Sequence, residues 1–226
     1  MAEWQKIRIS FVWKMKFPSI QELKHEDFSQ LEKHVNKPIY EAVKLFLDVV
    51  FAYFALIFFS PFWLLIVLFI HLDSKGKALF THVRIGKNGK PFKLYKFRTM
   101  YQGVKDQELA PQNPNDERIT RIGKFLRRTS LDEMPQLINI FKGDMSFVGP
   151  RPEMPFIVEK YNAKEKKRLL VKPGLTGIWQ IMGRKDLPLH HNLEFDFYYI
   201  EHRSLWMDFV IILKTFAVVI SGKGAY

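Results

Sequence analysis

From Val49 to Ile70 the chain runs 22 residues without a charge, rich in Phe, Leu, Ile and Val. As a helix rising ~1.5 Å per residue, this block reaches ~33 Å, enough to cross a bilayer core of ~30 Å. It starts too late for a secretory signal peptide, and no small-residue cleavage site follows it. A fully buried soluble helix of this kind would be unusual. Ser60-Pro61 falls near the centre. Proline removes a backbone donor and clashes with the preceding turn, so the pattern predicts a bend, and the serine hydroxyl is placed to bond a freed carbonyl. Each arm, ~15–18 Å long, matches one leaflet. The segment alone allows two topologies: a kinked span, or a hairpin that enters and leaves on one face.

Elsewhere the patterns are shorter. Ile7, Ile9, Phe11 and Trp13 alternate with Arg8, Ser10, Val12 and Lys14 up to Pro18, which predicts a short strand or an interfacial anchor within an extension over residues 1–36. Strands are expected at Thr81–Ile85 and Phe92–Phe97, around the turn signal Lys87-Asn88-Gly89-Lys90-Pro91. Residues 102–117 read as a loop. From Arg118, a helix would gather Ile119, Ile122, Phe125 and Leu126 on one face and Arg118, Arg121, Lys124 and Arg128 on another. Such a helix lies on a lipid surface or on a globular domain. Trp206–Ile220 is amphipathic, with core packing as the first reading and interfacial docking through Trp206 as the second. The fold class is α+β and helix-rich, with a membrane segment over 37–72 and a domain over 73–226.

Charge adds a direction. The chain carries 35 Lys and Arg against 23 Asp and Glu, a net +12. Residues 1–48 hold 8 basic and 7 acidic side chains, whereas residues 71–226 hold 27 and 16. The excess lies downstream of the apolar block, pointing to an anionic membrane surface, a phosphate-rich substrate or nucleic acid. Lys75, Lys77, Arg84 and Lys87 after the block outweigh Lys37 and Lys44 before it, so the positive-inside rule places the bulk of the chain on the cytoplasmic face. With no cysteine, disulfides, zinc-thiolate sites and thiol nucleophiles are excluded. The seven histidines show no metal-ligand spacing, and His190-His191 read as surface.

The candidate chemistry centres on Asp132-Glu133. Adjacent acids recur at Glu26-Asp27 and Asp116-Glu117, so the pair is informative only through its setting: Arg127-Arg128 one turn earlier and Leu131, Met134, Leu137 and Ile138 around it. Helical neighbours diverge by ~100°, so the two carboxylates would divide tasks rather than share one atom; helix capping is the plain structural reading. Arg151 stands between Pro150 and Pro152, a stiff backbone that would preorganise a guanidinium for phosphate or a base edge, or simply form a turn. Lys96 and Arg98 would share a strand face as a two-cation patch. Gly174, Gly177 and Gly183-Arg184 punctuate Lys172–Arg184, with Gln180 between them; glycines there allow close approach to a ligand or ordinary turns.

Over about Pro38 to Thr215 the chain resembles the bacterial sugar transferase family, the monotopic phosphoglycosyl transferases. The resemblance rests on Ser60-Pro61, Lys96–Met100, Arg127–Gln136 and Gly143–Pro152, extended by Lys172–Gly177 and Gly183-Arg184. It implies a re-entrant helix bent at Ser60-Pro61, which selects the hairpin over the span, and interfacial amphipathic helices. It implies Asp132 as a nucleophile, Glu133 assisting with Mg²⁺ or proton handling, Arg127 binding phosphate and Arg151 contacting the nucleotide. Lys96, Arg98, Gln180 and Arg184 match motif positions with a general substrate-binding role. The implied reaction moves a sugar phosphate from a UDP-sugar to polyprenol phosphate, releasing UMP, at the bacterial inner membrane with the catalytic domain in the cytoplasm. Membrane lipid is an expected partner and a homo-oligomer is compatible. His82 departs from the family's common glutamine, and Lys77 from a frequent proline.

The contrasting reading is a non-enzymatic, membrane-tethered basic domain that binds anionic lipid or nucleic acid. It needs only charge, and the sequence carries no RNA or DNA motif in its support.

Overall fold

The computed structural model describes residues 16–103, 113, 116–182 and 192–221. The alternating Ile7–Trp13 stretch, Gly183-Arg184 and His190-His191 lie outside the described residues. Two short helices, α1 (Ile20–Leu23) and α2 (Leu31–Val35), precede a 36-residue helix, α3 (Pro38–Asp73). Then come an antiparallel hairpin of β1 (Leu79–Ile85) and β2 (Pro91–Phe97), helices α4 (Arg121–Thr129) and α5 (Gln136–Phe141), and β3 (Ser146–Val148). One-turn helices α6 (Pro155–Val158) and α7 (Ala163–Lys166) lead to β4 (Gly174–Thr176), which pairs with β3 in parallel, and to α8 (Ile178–Met182), α9 (Glu194–His202) and α10 (Leu205–Ser221). The architecture is helix-rich α+β.

Helix α3 begins at Pro38, eleven residues before the uncharged block, because proline suits the first helical turn. It is long and apolar enough to cross a membrane, and only 11% of its most apolar window is buried. A soluble core helix would be mostly covered. Phe51, Phe54, Phe58, Leu64, Leu65 and Phe69 are all exposed. Pro61 lies inside this single helix; the chain does not break into two separate helical arms there. The residue four before Pro61 is Ile57, whose carbonyl loses its helical donor. Ser60 Oγ supplies a replacement, donating to Ile57 O at 2.8 Å. The serine thus repairs the defect that the proline makes.

Both ends of α3 pack against the same domain. Near its start, Tyr40 OH and Lys44 Nζ donate to Asp208 Oδ2 of α10 at 2.8 and 2.7 Å. Ala52 joins Leu94, Leu137, Ile140 and Met145 in one apolar cluster. Beyond the proline, Ile66 and Ile70 join Phe97 and Leu126 in another, and Asp73 Oδ2 accepts from Ile122 N at 2.8 Å. A third, larger cluster gathers Leu23, Leu31, Phe195, Phe197, Ile200 and Val210 behind β3 and β4.

Two glycines permit close backbone crossings. A Cβ on Gly123 would stand 2.1 Å from Thr99 O, and one on Gly174 would stand 2.1 Å from Gly149 N. The first contact seats α4 on the end of β2. The second lets β4 approach the chain as it enters Pro150-Arg151-Pro152, where Gly174 N donates to Pro150 O at 2.9 Å.

Candidate active site

The hairpin positions one wall. Its register pairs Phe80 with Lys96, His82 with Leu94 and Arg84 with Phe92, so these six share a face. Buried Asn139 of α5 fixes the wall: Tyr95 N donates to its Oδ1 at 3.1 Å, and its Nδ2 donates to Lys93 O at 2.7 Å. Nothing in the sequence marks Asn139 except a polar residue within the apolar run Leu137–Phe141.

The acidic pair sits on a tight turn, not on an α-helix. Thr120 caps α4 by accepting from Gly123 N at 2.9 Å. This starts the helix at Arg121 rather than Arg118. At the other end Ser130 adopts φ 58° and ends α4, and Leu131–Glu133 form one turn of 3₁₀ helix. Leu131 and Met134 pack toward the cluster of Phe97 and Leu126, leaving the acids between them to face the hairpin. Successive 3₁₀ residues are ~120° apart, so the carboxylates do diverge.

Lys96 Nζ donates to Glu133 Oε1 at 2.7 Å and lies 3.8 Å from Asp132 Oδ2. Arg151 Nη2 donates to the same Glu133 Oε1 at 2.8 Å. Asp132 is buried and has no side-chain hydrogen bond among the described residues, although 13% of its side chain stays open. Their titrations separate accordingly. For Asp132, burial raises the pKa and the neighbouring Glu133 charge adds to this, against opposition from Lys96. For Glu133, burial pushes upward too, but Arg151 and Lys96 together outweigh it and hold the group well below the usual carboxylate range.

Arg151 is fixed from behind. Arg168, only 2% exposed, donates from Nη2 to Arg151 O at 2.7 Å and from Nη1 to Tyr161 OH at 2.6 Å. Its Nη2 also pairs with buried Asp196 at 2.6 Å. The Arg151 guanidinium lies 6.0 Å from the Trp179 ring centre. Arg168 lies in Lys164-Glu165-Lys166-Lys167-Arg168, which reads as a solvated charge run; nothing there separates it from its exposed neighbours.

The structure therefore brings Lys96, Asp132, Glu133 and Arg151 together. Arg127 lies near them, its guanidinium without a hydrogen bond among the described residues; burial lowers its pKa, and the Asp132 charge opposes that most strongly. Gln180 is buried beside Trp179, and its Nε2 has no partner among the described residues. Arg98 goes elsewhere, and the expected two-cation patch with Lys96 does not form. The strand ends at Phe97, and the Arg98 guanidinium turns back to donate to Lys75 O at 2.6 Å and to Ser74 O at 2.7 Å. It caps the end of α3. Arg184 lies outside the described residues.

Among the described residues no three acidic or histidine side chains cluster. One or two carboxylates plus substrate phosphates and water do suit Mg²⁺. With Glu133 Oε1 taken by two cations, Glu133 Oε2 and the Asp132 oxygens are the available donors.

Residues 39–222 match the model of the bacterial sugar transferase family. The chain belongs to that family. It is 40% identical over 212 residues to an uncharacterized sugar transferase of Haemophilus influenzae, covering 87% of this chain and 45% of that protein. It is 37% identical over 212 residues to an undecaprenyl-phosphate galactose phosphotransferase of Salmonella typhimurium, covering 87% of this chain and 44% of that protein. The chain thus spans less than half the length of these two relatives. It is also 40% identical over 205 residues to the exopolysaccharide production protein ExoY of Rhizobium meliloti, covering 84% of this chain and 91% of that one.

Proposed function

We propose that this sugar transferase moves a sugar phosphate from a nucleoside diphosphate sugar, a UDP-sugar, to polyprenol phosphate through a covalent intermediate on Asp132. The observation that carries the proposal is the division of labour in the acidic pair. Glu133 takes the hydrogen bonds of both cations, and Asp132 is left buried and partly open, 3.8 Å from Lys96 and without a side-chain hydrogen bond among the described residues. A buried carboxylate without a hydrogen bond costs stability, which a catalytic role explains. Similarity to the Salmonella undecaprenyl-phosphate galactose phosphotransferase supports the acceptor and the class of transfer.

In the first step an Asp132 oxygen attacks the phosphorus that bears the sugar. The P–O bond to the nucleotide breaks and UMP leaves. In the second, a phosphate oxygen of the polyprenol phosphate attacks the same phosphorus, the aspartyl P–O bond breaks, and polyprenol-diphosphate-sugar departs with Asp132 restored. An acyl phosphate stays activated for that second transfer. Lys96 and Arg151 keep Glu133 ionised and leave positive charge beside the incoming diphosphate; Arg127 adds to it. Bound Mg²⁺, held by Asp132 and Glu133, would supply further neutralisation of the phosphate oxygens.

The acceptor is confined to the membrane and the donor is soluble, so the site belongs at the interface. We read α3 as re-entrant, bent at Ser60-Pro61, with both flanks and the catalytic domain on the cytoplasmic side of the bacterial inner membrane. The packing of Tyr40, Lys44, Ile70 and Asp73 against one domain supports this. The exposed stripe Trp206, Phe209, Leu213 and Phe216 on α10 and exposed Phe125 on α4 suit the lipid surface. The test is exchange: labelled UMP enters UDP-sugar without polyprenol phosphate if Asp132 takes the phosphosugar. Turnover without exchange contradicts the covalent route.

A further inference from the structure

On the hairpin wall, His82 has a polar atom with no partner among the described residues. His82 lies on the hairpin face between Lys96 and Arg84, its diagonal and along-strand neighbours. Arg84 Nε donates to His82 Nε2 at 2.6 Å. An imidazole nitrogen that accepts carries no proton, so in the neutral ring the hydrogen is on Nδ1. That nitrogen is buried and has no hydrogen-bond partner among the described residues. The ring is kept neutral: burial lowers its pKa to about 3, with Arg84, Lys96 and Arg151 reinforcing the effect.

The surrounding contacts close a loop. Lys96 and Arg151 meet at Glu133 Oε1. The chain continues from Arg151 to Pro152, whose carbonyl accepts from Arg84 Nη1 at 3.3 Å. Arg84 returns to His82, and the sheet register returns His82 to Lys96. Three of these neighbours are cations, and donors cannot receive an N–H. Glu133 directs its bonded oxygen to Lys96 and Arg151 instead. A buried unpaired donor costs free energy in the empty site. The complement to such a donor, ringed by cations, is an anionic oxygen.

We infer that His82 Nδ1–H is a binding donor for a phosphate oxygen of the nucleoside diphosphate, placed by Arg84 and held in one tautomer by it. The assignment rests on the transferase reading above and extends it to a residue outside the acidic pair. The Arg84 hydrogen bond acts as orienter: it holds the ring and fixes which nitrogen carries the proton.

This chain as wild type, H82L and H82N in detergent, probed with UDP, provides the test. In H82L both nitrogens are lost. In H82N the side-chain amide nitrogen falls where Nδ1 was, while the acceptor for Arg84 is removed. If Nδ1–H meets phosphate, H82L binds UDP ~10- to 100-fold more weakly, the range for a hydrogen bond to a charged group. H82N then stays within ~3-fold of wild type, by the same reasoning. The KM for the sugar nucleotide follows these affinities, with kcat changing less. Should H82L fail to fold, H82F replaces it. Equal UDP affinity in wild type and H82L overturns the assignment of His82 alone. H82N as weak as H82L also overturns it, making the imidazole only a prop for Arg84. A wild-type protein that binds no UDP overturns both this inference and the reading on which it rests.

Discussion

Arg151 Nη2 and Glu133 Oε1 stand 2.8 Å apart, joining two segments eighteen residues distant in sequence. The same oxygen receives Lys96 from the hairpin, so Glu133 ties β2, the acidic turn and the Pro150–Pro152 segment together. Its charge makes that junction possible. Glu133→Gln should leave two cations facing a neutral amide, at a cost of about 3–5 kcal/mol for a broken, largely buried pair. A urea midpoint and a turnover assay on the same preparation check this, with turnover expected to fall at least ~100-fold. Because the folded pKa is depressed, the stabilisation is present above the ordinary glutamate range and is lost as pH falls through the lowered value.

Asp132 has the opposite sign. Its raised folded pKa means that the native state holds a proton more tightly than the unfolded chain. The stability this contributes is full below the ordinary aspartate pKa and is lost as pH rises through the raised value. Asp132→Asn stays neutral throughout. At neutral pH it should abolish transfer yet be more stable than wild type by roughly 1–3 kcal/mol, read as a higher unfolding temperature. A less stable and still active variant contradicts the assignment.

Lys96 and Arg98 separate cleanly in their expected effects. Arg98→Gln removes the cap on α3 and should cost about 1.5–3 kcal/mol in stability, with the KM for sugar nucleotide unchanged. Lys96→Gln removes one of the two cations on Glu133, so it should lower the melting temperature as well, but unlike Arg98→Gln it should reduce kcat/KM at least ~10-fold. Comparison of melting curves with steady-state kinetics distinguishes the two.

The absence of cysteine makes topology directly measurable. Single cysteines at positions 30 and 80 should react with a membrane-impermeant maleimide from the same side of sealed vesicles. Opposite-side labelling would make α3 a span. Pro61→Leu removes the bend and should shift the population toward opposite-side labelling.

Much of this was legible before the structure. The apolar block, the hairpin and the acidic pair depend on local chemistry: an uncharged run, an Asn-Gly turn and a charge pattern near Arg127. The repair of Pro61 by Ser60 also follows from helix geometry. What was not legible depends on burial between distant segments. Arg98 looks like a partner of Lys96 by strand alternation, but the strand stops one residue earlier and the helix end offers it carbonyls. Arg168 looks solvated and is instead the buried support of Arg151. Asn139 locks β2 through two backbone bonds that no local pattern announces. The 3₁₀ turn that presents Asp132 comes from the positive φ of Ser130, a conformation that serine rarely signals.

The most direct measurement is the intact mass of the protein after incubation with UDP-sugar and Mg²⁺ in the absence of polyprenol phosphate. The expected result is a mass increase equal to one sugar phosphate, located on Asp132 by peptide fragmentation, absent from Asp132→Asn and discharged when polyprenol phosphate is added. An unchanged mass in a preparation that still converts UDP-sugar and polyprenol phosphate to product would contradict it.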